Sequence, residues 1–355
     1  MAQGITAVLL VNLGTPRSPS PRDVRRYLRE FLSDPRVLDM PALARFLLLE
    51  LVILPFRPRR SALAYQQIWG PEGSPLLVHG RALAKAVAAE LGTGFAVELG
   101  MRYGAPGIRE ALTKLAAHAP ARLIALPLFP QYSTAATGSA LAKLAQEHGQ
   151  FSQEHGQFSQ EHGRFRGLPP LETLGPFYAE PGFIAAFAAV ARERLAAFRP
   201  DFVLFSYHGL PERQIARLDA TGRHCFTALG CCDAIGPANR DCYRAQCFAT
   251  TRALAGELGL ASEGLATSFQ SRLGRTPWIK PYTDLLLPEL AARGHRRLAV
   301  LCPAFVADCL ETLEEIAIRA REQWRSLGGE ELLLIPSLNA EPSWVKAVAG
   351  WVRRA

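Results

Sequence analysis

Short apolar runs alternate along this chain with longer stretches whose apolar residues recur every three or four positions. The runs at 5–11, 95–101, 122–128, 201–206, 264–269, 297–302 and 331–335 have the length and composition of β-strands. The periodic stretches at 21–33, 107–117, 138–146, 181–197, 238–258, 283–293, 308–326 and 342–353 predict helices. Alternation of this kind implies parallel sheets with helices on both faces. The first helix has a marked start, with Ser20 as N-cap, Pro21 at the first helical position and Asp23 in the first turn. Prolines and glycines crowd into 166–170 and 175–176, so a domain boundary is expected there.

Two segments stand apart. Residues 147–153 and 154–160 are identical, Glu-His-Gly-Gln-Phe-Ser-Gln, and 161–165 begin a third copy. A duplicated surface loop is expected, because the copies carry glycine and loops tolerate insertion. The alternative is a metal tract built on His148, His155 and His162. The run Phe46–Phe56 is broken by Glu50 and Pro55 and followed by Arg57, Arg59 and Arg60. It fits a helix packed on the core or an amphipathic lip lying on a membrane surface.

A length of 355 residues, 49% of them hydrophobic, suits two domains of ordinary size. Charged residues make up 20%, which argues against general disorder. The net charge is +8, and only five of the 40 basic residues are lysines. Arginine suits planar carboxylates and phosphates. With no basic block interleaved with aromatics, an anionic ligand or an anionic membrane surface fits the charge better than nucleic acid. No stretch is long enough to span a bilayer. The run Ile5–Val11 follows no basic residues and leads into Asn12, Gly14 and Pro16, so it reads as a strand and not as a signal peptide. The expected location is the cytoplasm, with peripheral contact at the inner face of a membrane as the sharper alternative. Of seven cysteines, five crowd into 225–247. In a reducing compartment such crowding points to metal binding.

Two strand ends carry candidate chemistry. The run from Asp201 ends in Ser206-Tyr207-His208-Gly209, which places His208 beyond the carboxyl end of a strand, where parallel sheets bind ligands. An imidazole there can take a proton near neutral pH or ligate a divalent metal. The run Leu298–Cys302 leads into a helix bearing Asp308, Glu311 and Glu315. Asp308 and Glu311 have capping-box spacing. All three acids are also three and four apart, hence on one helix face, and Arg319 is placed to relieve only Glu315. Glu311 is therefore a candidate metal ligand or proton carrier. A histidine and a row of acids suit a reaction that removes protons and handles a divalent cation.

Six stretches carry a resemblance over nearly the whole chain outside the repeat. They are Leu10-Val11-Asn12-Leu13-Gly14-Thr15-Pro16, Gly73-Ser74-Pro75-Leu76, Pro130-Gln131-Tyr132-Ser133 with Thr137-Gly138-Ser139, Ser206 through Pro211, Phe269-Gln270-Ser271-Arg272 with Trp278 and Pro281-Tyr282-Thr283-Asp284, and Phe305 through Glu315. In these the chain resembles the ferrochelatases. The resemblance implies insertion of ferrous iron, as substrate, into protoporphyrin IX to give protohaem with loss of two protons, the last step of haem formation. It implies two Rossmann-like halves, each a four-stranded parallel sheet flanked by helices. Their expected extents are 1–170, containing the insertion at 147–165, and 171–335, containing the cysteine segment at 225–247, with a helix at 336–355 packing back on the first half. His208 and Glu311 match the positions that face metal and porphyrin, and Glu315 matches a carboxylate path. Tyr132, Met101, Arg102, Tyr103 and Trp278 match positions that line the porphyrin site. No nucleotide is implied, and no G-x-G-x-x-G occurs.

The cysteines Cys225, Cys231, Cys232, Cys242 and Cys247 resemble the internal segment that holds a [2Fe–2S] cluster in some bacterial members. The animal pattern is absent, since Thr134 stands where animal members have a cysteine and the C-terminal tail has none. Four thiolates suffice, so one is spare, and adjacency makes Cys231 or Cys232 the expected one. Zinc is the rival occupant. Cys302 and Cys309 are expected to be small buried hydrophobes. Three other functions stay open: a coproporphyrin III chelatase, a cobalt or nickel chelatase, and an iron–sulfur sensor on the same fold. Cys309 stands where cobalt and nickel enzymes tend to have a histidine, and the presence of His208 and Glu311 weighs against the sensor.

Overall fold

Burial on both faces sets the two central strands. β1 (Thr6–Gly14) carries the unbroken run Ala7–Val11, every side chain of which is fully buried. A strand buried on both sides needs no polar alternation, and that is the signature of a parallel sheet covered by helices. The computed structural model of the chain describes residues 4–162, 168–227, 230–274 and 276–355, without side chains at 154–162. β1 lies between β2 (Phe95–Tyr103) and β3 (Arg122–Pro127), and β3 pairs with the short β4 (Leu171–Thr173). All pairings are parallel, with Thr6 opposite both Phe95 and Arg122 and Leu123 opposite Leu171. The second sheet repeats the plan. β5 (Phe202–His208) lies between β6 (Leu265–Gln270) and β7 (Arg297–Leu301), and β7 pairs with β8 (Glu331–Leu334), again all parallel. The expected architecture of two four-stranded parallel sheets flanked by helices is what the chain adopts.

Contacts divide the chain into two units. One comprises Met1–Phe129, Thr134–Pro176 and Val345–Ala355, the other Pro130–Ser133 and Phe177–Trp344. In the first, Leu9, Val11, Ile108, Leu112, Leu123 and Leu144 form a core beside the sheet. In the second, Leu204, Leu287, Leu290, Leu298, Val300 and Trp324 do the same.

Helix Pro21–Ser33 starts as its sequence predicts, with the Ser20 hydroxyl accepting from the Asp23 amide at 3.2 Å. Other elements depart from expectation. β4 falls in the segment read as a proline-rich joint. Helix Pro75–Leu91 was not among the expected elements, yet it buries Gly80, Leu83, Ala84, Val87 and Leu91. The run at 46–56 belongs to a continuous helical segment made of Ala42–Leu47, a π turn at Leu48–Ile53, and Leu54–Ile68.

The duplicated segment is a correction. The helix begun at Ser139 continues to His162, so the repeat is helical where a loop was expected. Seven residues make nearly two helical turns, so each copy keeps the face of the one before. Phe151 is buried in the first unit's core, and Glu147 is paired with Arg109 and Lys143. His148 has its Nε2 at 2.9 Å from the Pro169 carbonyl oxygen. The side chains of His155 and His162, and residues 163–165 of the third copy, lie outside the described residues.

Candidate active site

Polar side chains appear where the apolar strands stop. In β5, Ser206 and His208 share one face and Tyr207 takes the other. Ser206 is buried and donates to the Gln270 Oε1 at 2.8 Å. Tyr207 is fully buried, with its hydroxyl 2.9 Å from that of Thr251. His208 ends the strand half-buried, in register with Gln270 at the end of β6. Its Nδ1 lies 2.6 Å from the Gly209 carbonyl oxygen. A carbonyl can only accept, so in the neutral imidazole Nδ1 carries the hydrogen and Nε2 keeps its lone pair. Trp278 and Phe305 each place a ring centroid 6.4 Å from the imidazole. Only glycine fits at 209, because a Cβ there would stand 2.8 Å from the Gln270 carbonyl oxygen and 3.1 Å from the Trp278 ring.

The acidic helix differs in detail from its sequence reading. Its N-cap is Cys309, whose partner in the capping box is Thr312, not the pair Asp308 and Glu311. Asp308 precedes the helix and does not share its face. It is buried and accepts from Thr312 Oγ1 at 3.0 Å and Asn339 Nδ2 at 2.8 Å. After one turn the helix widens to a π-helix, Leu313–Ala320. A π turn brings positions five apart together, and Arg319 accordingly contacts Glu314 at 2.8 Å more closely than Glu315 at 3.5 Å. Among the described residues no ion pair reaches Glu311.

Gln270, to which the sequence alone assigns no role, joins the two strand ends. Its Nε2 donates to the Glu311 carbonyl oxygen at 2.8 Å and to Glu315 Oε2 at 3.0 Å. Ser271 donates to the same Oε2 at 2.5 Å. Gln270, Ser271 and Glu315, with Arg272, Asp284 and Arg319, line a cavity of about 130 Å³. Elsewhere in this unit Tyr132 is half-buried, and its amide donates to Gln246 Oε1 at 2.7 Å.

In the first unit, Met101, Arg102 and Tyr103 sit at the carboxyl end of β2. Met101 and Tyr103 are buried and Arg102 is half-buried. They converge on Asp34, which sequence reasoning missed. Its carboxylate accepts from Arg102 at 2.6 Å, Ser139 at 2.5 Å, the Tyr103 hydroxyl at 3.0 Å and the Arg36 amide at 2.7 Å. The Arg102 guanidinium also covers the Tyr103 ring. Burial alone would raise the Asp34 carboxyl, but the hydrogen bonds from Ser139, Arg36 and Tyr103 and the charge of Arg102 hold it below its ordinary value. Burial in turn pushes the Tyr103 hydroxyl well up. One signal was available: an acid directly after the first helix opposes the helix dipole, which favours cations there.

Four of the five clustered cysteines neighbour one another. The Cys231 and Cys232 sulfurs are 3.8 Å apart. Cys225 and Cys232 each interact with the Cys242 thiol. Contact with Cys242 and burial push the Cys232 thiol well up, and the Arg244 guanidinium donates to its sulfur at 3.1 Å. Cys247 is instead fully buried beside the Tyr243 hydroxyl, and burial raises its thiol. Two side chains shape the loop. Asp219 accepts from the Cys225 and His224 amides, and Asn239 donates to the Cys231 and Ala234 carbonyls. Among the described residues, which exclude 228–229, no three His, Cys, Asp or Glu side chains are arranged as a ready metal site. Cys302 and Cys309 are buried.

Comparison with known proteins agrees with these motifs. The family model described as Ferrochelatase matches residues 5–355. A Coxiella burnetii protein named Ferrochelatase is 49% identical over 348 residues, covering 98% of this chain and 93% of that protein. A Legionella pneumophila protein of the same name is 46% identical over 344 residues, covering 96% of each.

The Asp34 network carries a pH signature. A lowered folded-state pKa contributes stability above the unfolded carboxyl value, and that contribution is lost as pH falls through the folded value. Asp34→Asn should therefore cost about 2 kcal/mol near pH 7 in urea unfolding. The gap to wild type should narrow as pH falls below the ordinary carboxylate range, about 4. A gap that does not change with pH would refute the assignment.

Proposed function

The chain belongs to the ferrochelatase family, and on that premise we propose that it inserts ferrous iron into protoporphyrin IX, releasing two protons and forming protohaem. Coproporphyrin III is the alternative substrate. One juxtaposition carries the residue assignments: His208 ends β5 beside Gln270, and Gln270 holds the helix that bears Glu311 and Glu315. Metallation must remove two pyrrole protons and exchange the iron's waters for four nitrogens. His208 supplies a lone pair at Nε2, because Nδ1 is committed to the Gly209 carbonyl. It serves as base or as transient ligand to the incoming iron. Glu311 balances the cation's charge and takes a proton, and Glu315 passes it toward the cavity. Tyr132 and Trp278 are assigned to porphyrin contact in the second unit. In the first unit that role falls to Arg102, with Met101 and Tyr103 as its buried support. The cobalt or nickel chelatase and the sensor are the weaker readings.

His208→Ala should lower the rate of metallation by ~10²–10⁴ with the fold intact. Glu311→Gln should slow turnover far more than it weakens porphyrin binding, since glutamine carries neither charge nor proton. Porphyrin fluorescence under anaerobic conditions reads both. Near-wild-type turnover in either variant would remove that residue from the mechanism.

We assign the thiols of Cys225, Cys231, Cys232 and Cys242 to a [2Fe–2S] centre, with zinc as the rival. The donor chemistry suits such a centre, since four thiols neighbour one another along a segment shaped by Asp219 and Asn239, although they are not arranged as a ready metal site. Cys247, held apart beside Tyr243, is the spare in this reading, in place of one of the adjacent pair. The cluster would cross-link the loop and add its binding energy to folding. Protein purified without oxygen should be brown and contain labile sulfide. Serine at 225, 231, 232 or 242 should remove the colour, and Cys247→Ser should keep it. Colourless protein with stoichiometric zinc would contradict the assignment.

We place the protein in the cytoplasm, in peripheral contact with the inner face of a membrane. Among the described residues, seven of the ten exposed large hydrophobic side chains lie between Leu43 and Leu63. Leu43, Leu47, Leu51 and Phe56 are spaced four, four and five apart, the last step within and beyond the π turn. Exposed Arg59 and Arg60 flank them, which suits an anionic surface. Among the described residues no helix is long and apolar enough to cross a membrane. The protein should sediment with anionic vesicles, and Leu51→Glu with Phe56→Glu should abolish this. Wild-type protein left in the supernatant would contradict the contact.

A further inference from the structure

We infer that Ser271 is a positioning residue for metal insertion: its hydroxyl, with the Gln270 amide, fixes the Glu315 carboxylate at the mouth of the cavity. The inference rests on the proposed role of Glu315. Three observations converge on it. First, Ser271 has a φ of +66°, the left-handed region that side chains other than glycine avoid. Strain of this kind persists only where surrounding contacts hold it, and it gathers at functional sites. Second, the contact that this backbone allows is a short one. Ser271 Oγ donates to Glu315 Oε2 at 2.5 Å, and Gln270 Nε2 donates to the same oxygen at 3.0 Å. Two consecutive residues thus converge on one carboxylate oxygen, while the other oxygen, Oε1, faces Arg319 at 3.5 Å.

Third, Gln270 is itself fixed. It is buried, its Oε1 accepts from Ser206 at 2.8 Å, and its Nε2 also donates to the Glu311 carbonyl at 2.8 Å. A buried amide satisfied at both ends cannot swing away without leaving polar atoms unpaired. Gln270 therefore transmits the position of β5, which carries His208, to the acid helix. Ser271 completes the hold on Glu315, which borders the cavity of about 130 Å³. Glycine would suit the backbone at 271 better than serine does, so a purely structural site would not favour serine.

That conflict supplies the test. Ser271→Gly relieves the backbone and deletes the hydroxyl. Ser271→Thr keeps the hydroxyl and strains the backbone further, because a β-branched residue resists positive φ. Melting temperature, kcat, and KM for porphyrin would be measured on both, on Glu315→Gln, and on the double variant Ser271→Gly with Glu315→Gln. Ser271→Gly should keep or raise the melting temperature while kcat falls ~10–100-fold and KM stays near wild type. Ser271→Thr should melt lower yet recover most of kcat. The double variant should be no slower than Glu315→Gln alone, since the hydroxyl acts through that carboxylate. If kcat follows melting temperature across the two substitutions at 271, the positioning role is overturned. If Glu315→Gln is impaired and Ser271→Gly keeps the wild-type kcat, the inference fails and the role of Glu315 stands. If Glu315→Gln itself runs at the wild-type rate, the role of Glu315 fails and the inference falls with it.

Discussion

Both central strands are buried on both faces, so polar chemistry can emerge only where they end. Along β1 and β5 an interior polar side chain would have to find a partner inside a helix-covered sheet. Ser206 does so: it is tied at once to Gln270 and sits 2.9 Å from the Thr283 hydroxyl. At the carboxyl end the helices part and half-buried side chains become possible. His208 occupies that position on β5. The same constraint places Gln270 at the end of β6 and Arg102 near the end of β2. Each is polar, and each is fixed by hydrogen bonds and not by packing alone.

Fixing matters because the reaction assigned to the site needs groups with defined proton states. One contact to a carbonyl leaves His208 with a single available nitrogen lone pair. The π-helix moves Arg319 toward Glu314, so that Glu315 keeps one oxygen for Gln270 and Ser271. Glu311, closer to the strand end, is reached by no ion pair among the described residues. The two acids therefore sit in different surroundings on one helix, which is what separate roles as cation partner and proton carrier demand.

Much of this was legible in the sequence. Continuous apolar runs gave both central strands, and the Ser20-Pro21 start gave the first helix. The apolar run ending at His208 gave the candidate base. What escaped notice has physical causes. β4 is three residues long, with two of them exposed, and carries almost no pattern. Helix Pro75–Leu91 buries Gly80 and Ala84 where a larger apolar residue would have marked the stripe. The glycines of the repeat point to a loop, while its seven-residue period keeps each copy in phase on a helix. Asp34 was invisible because its partners lie 68, 69 and 105 residues away. The π turn was invisible because i and i+4 positions look equivalent in either helix until a partner such as Arg319 reveals the pitch.

The central claim is that this chain places iron in a porphyrin at the end of β5. Anaerobic incubation of the wild-type protein with ferrous iron and protoporphyrin IX tests it most directly. The account predicts that porphyrin fluorescence disappears at a rate proportional to protein concentration, with a haem absorption spectrum growing in its place. Fluorescence that persists at the level of the protein-free control, with porphyrin bound, would contradict it.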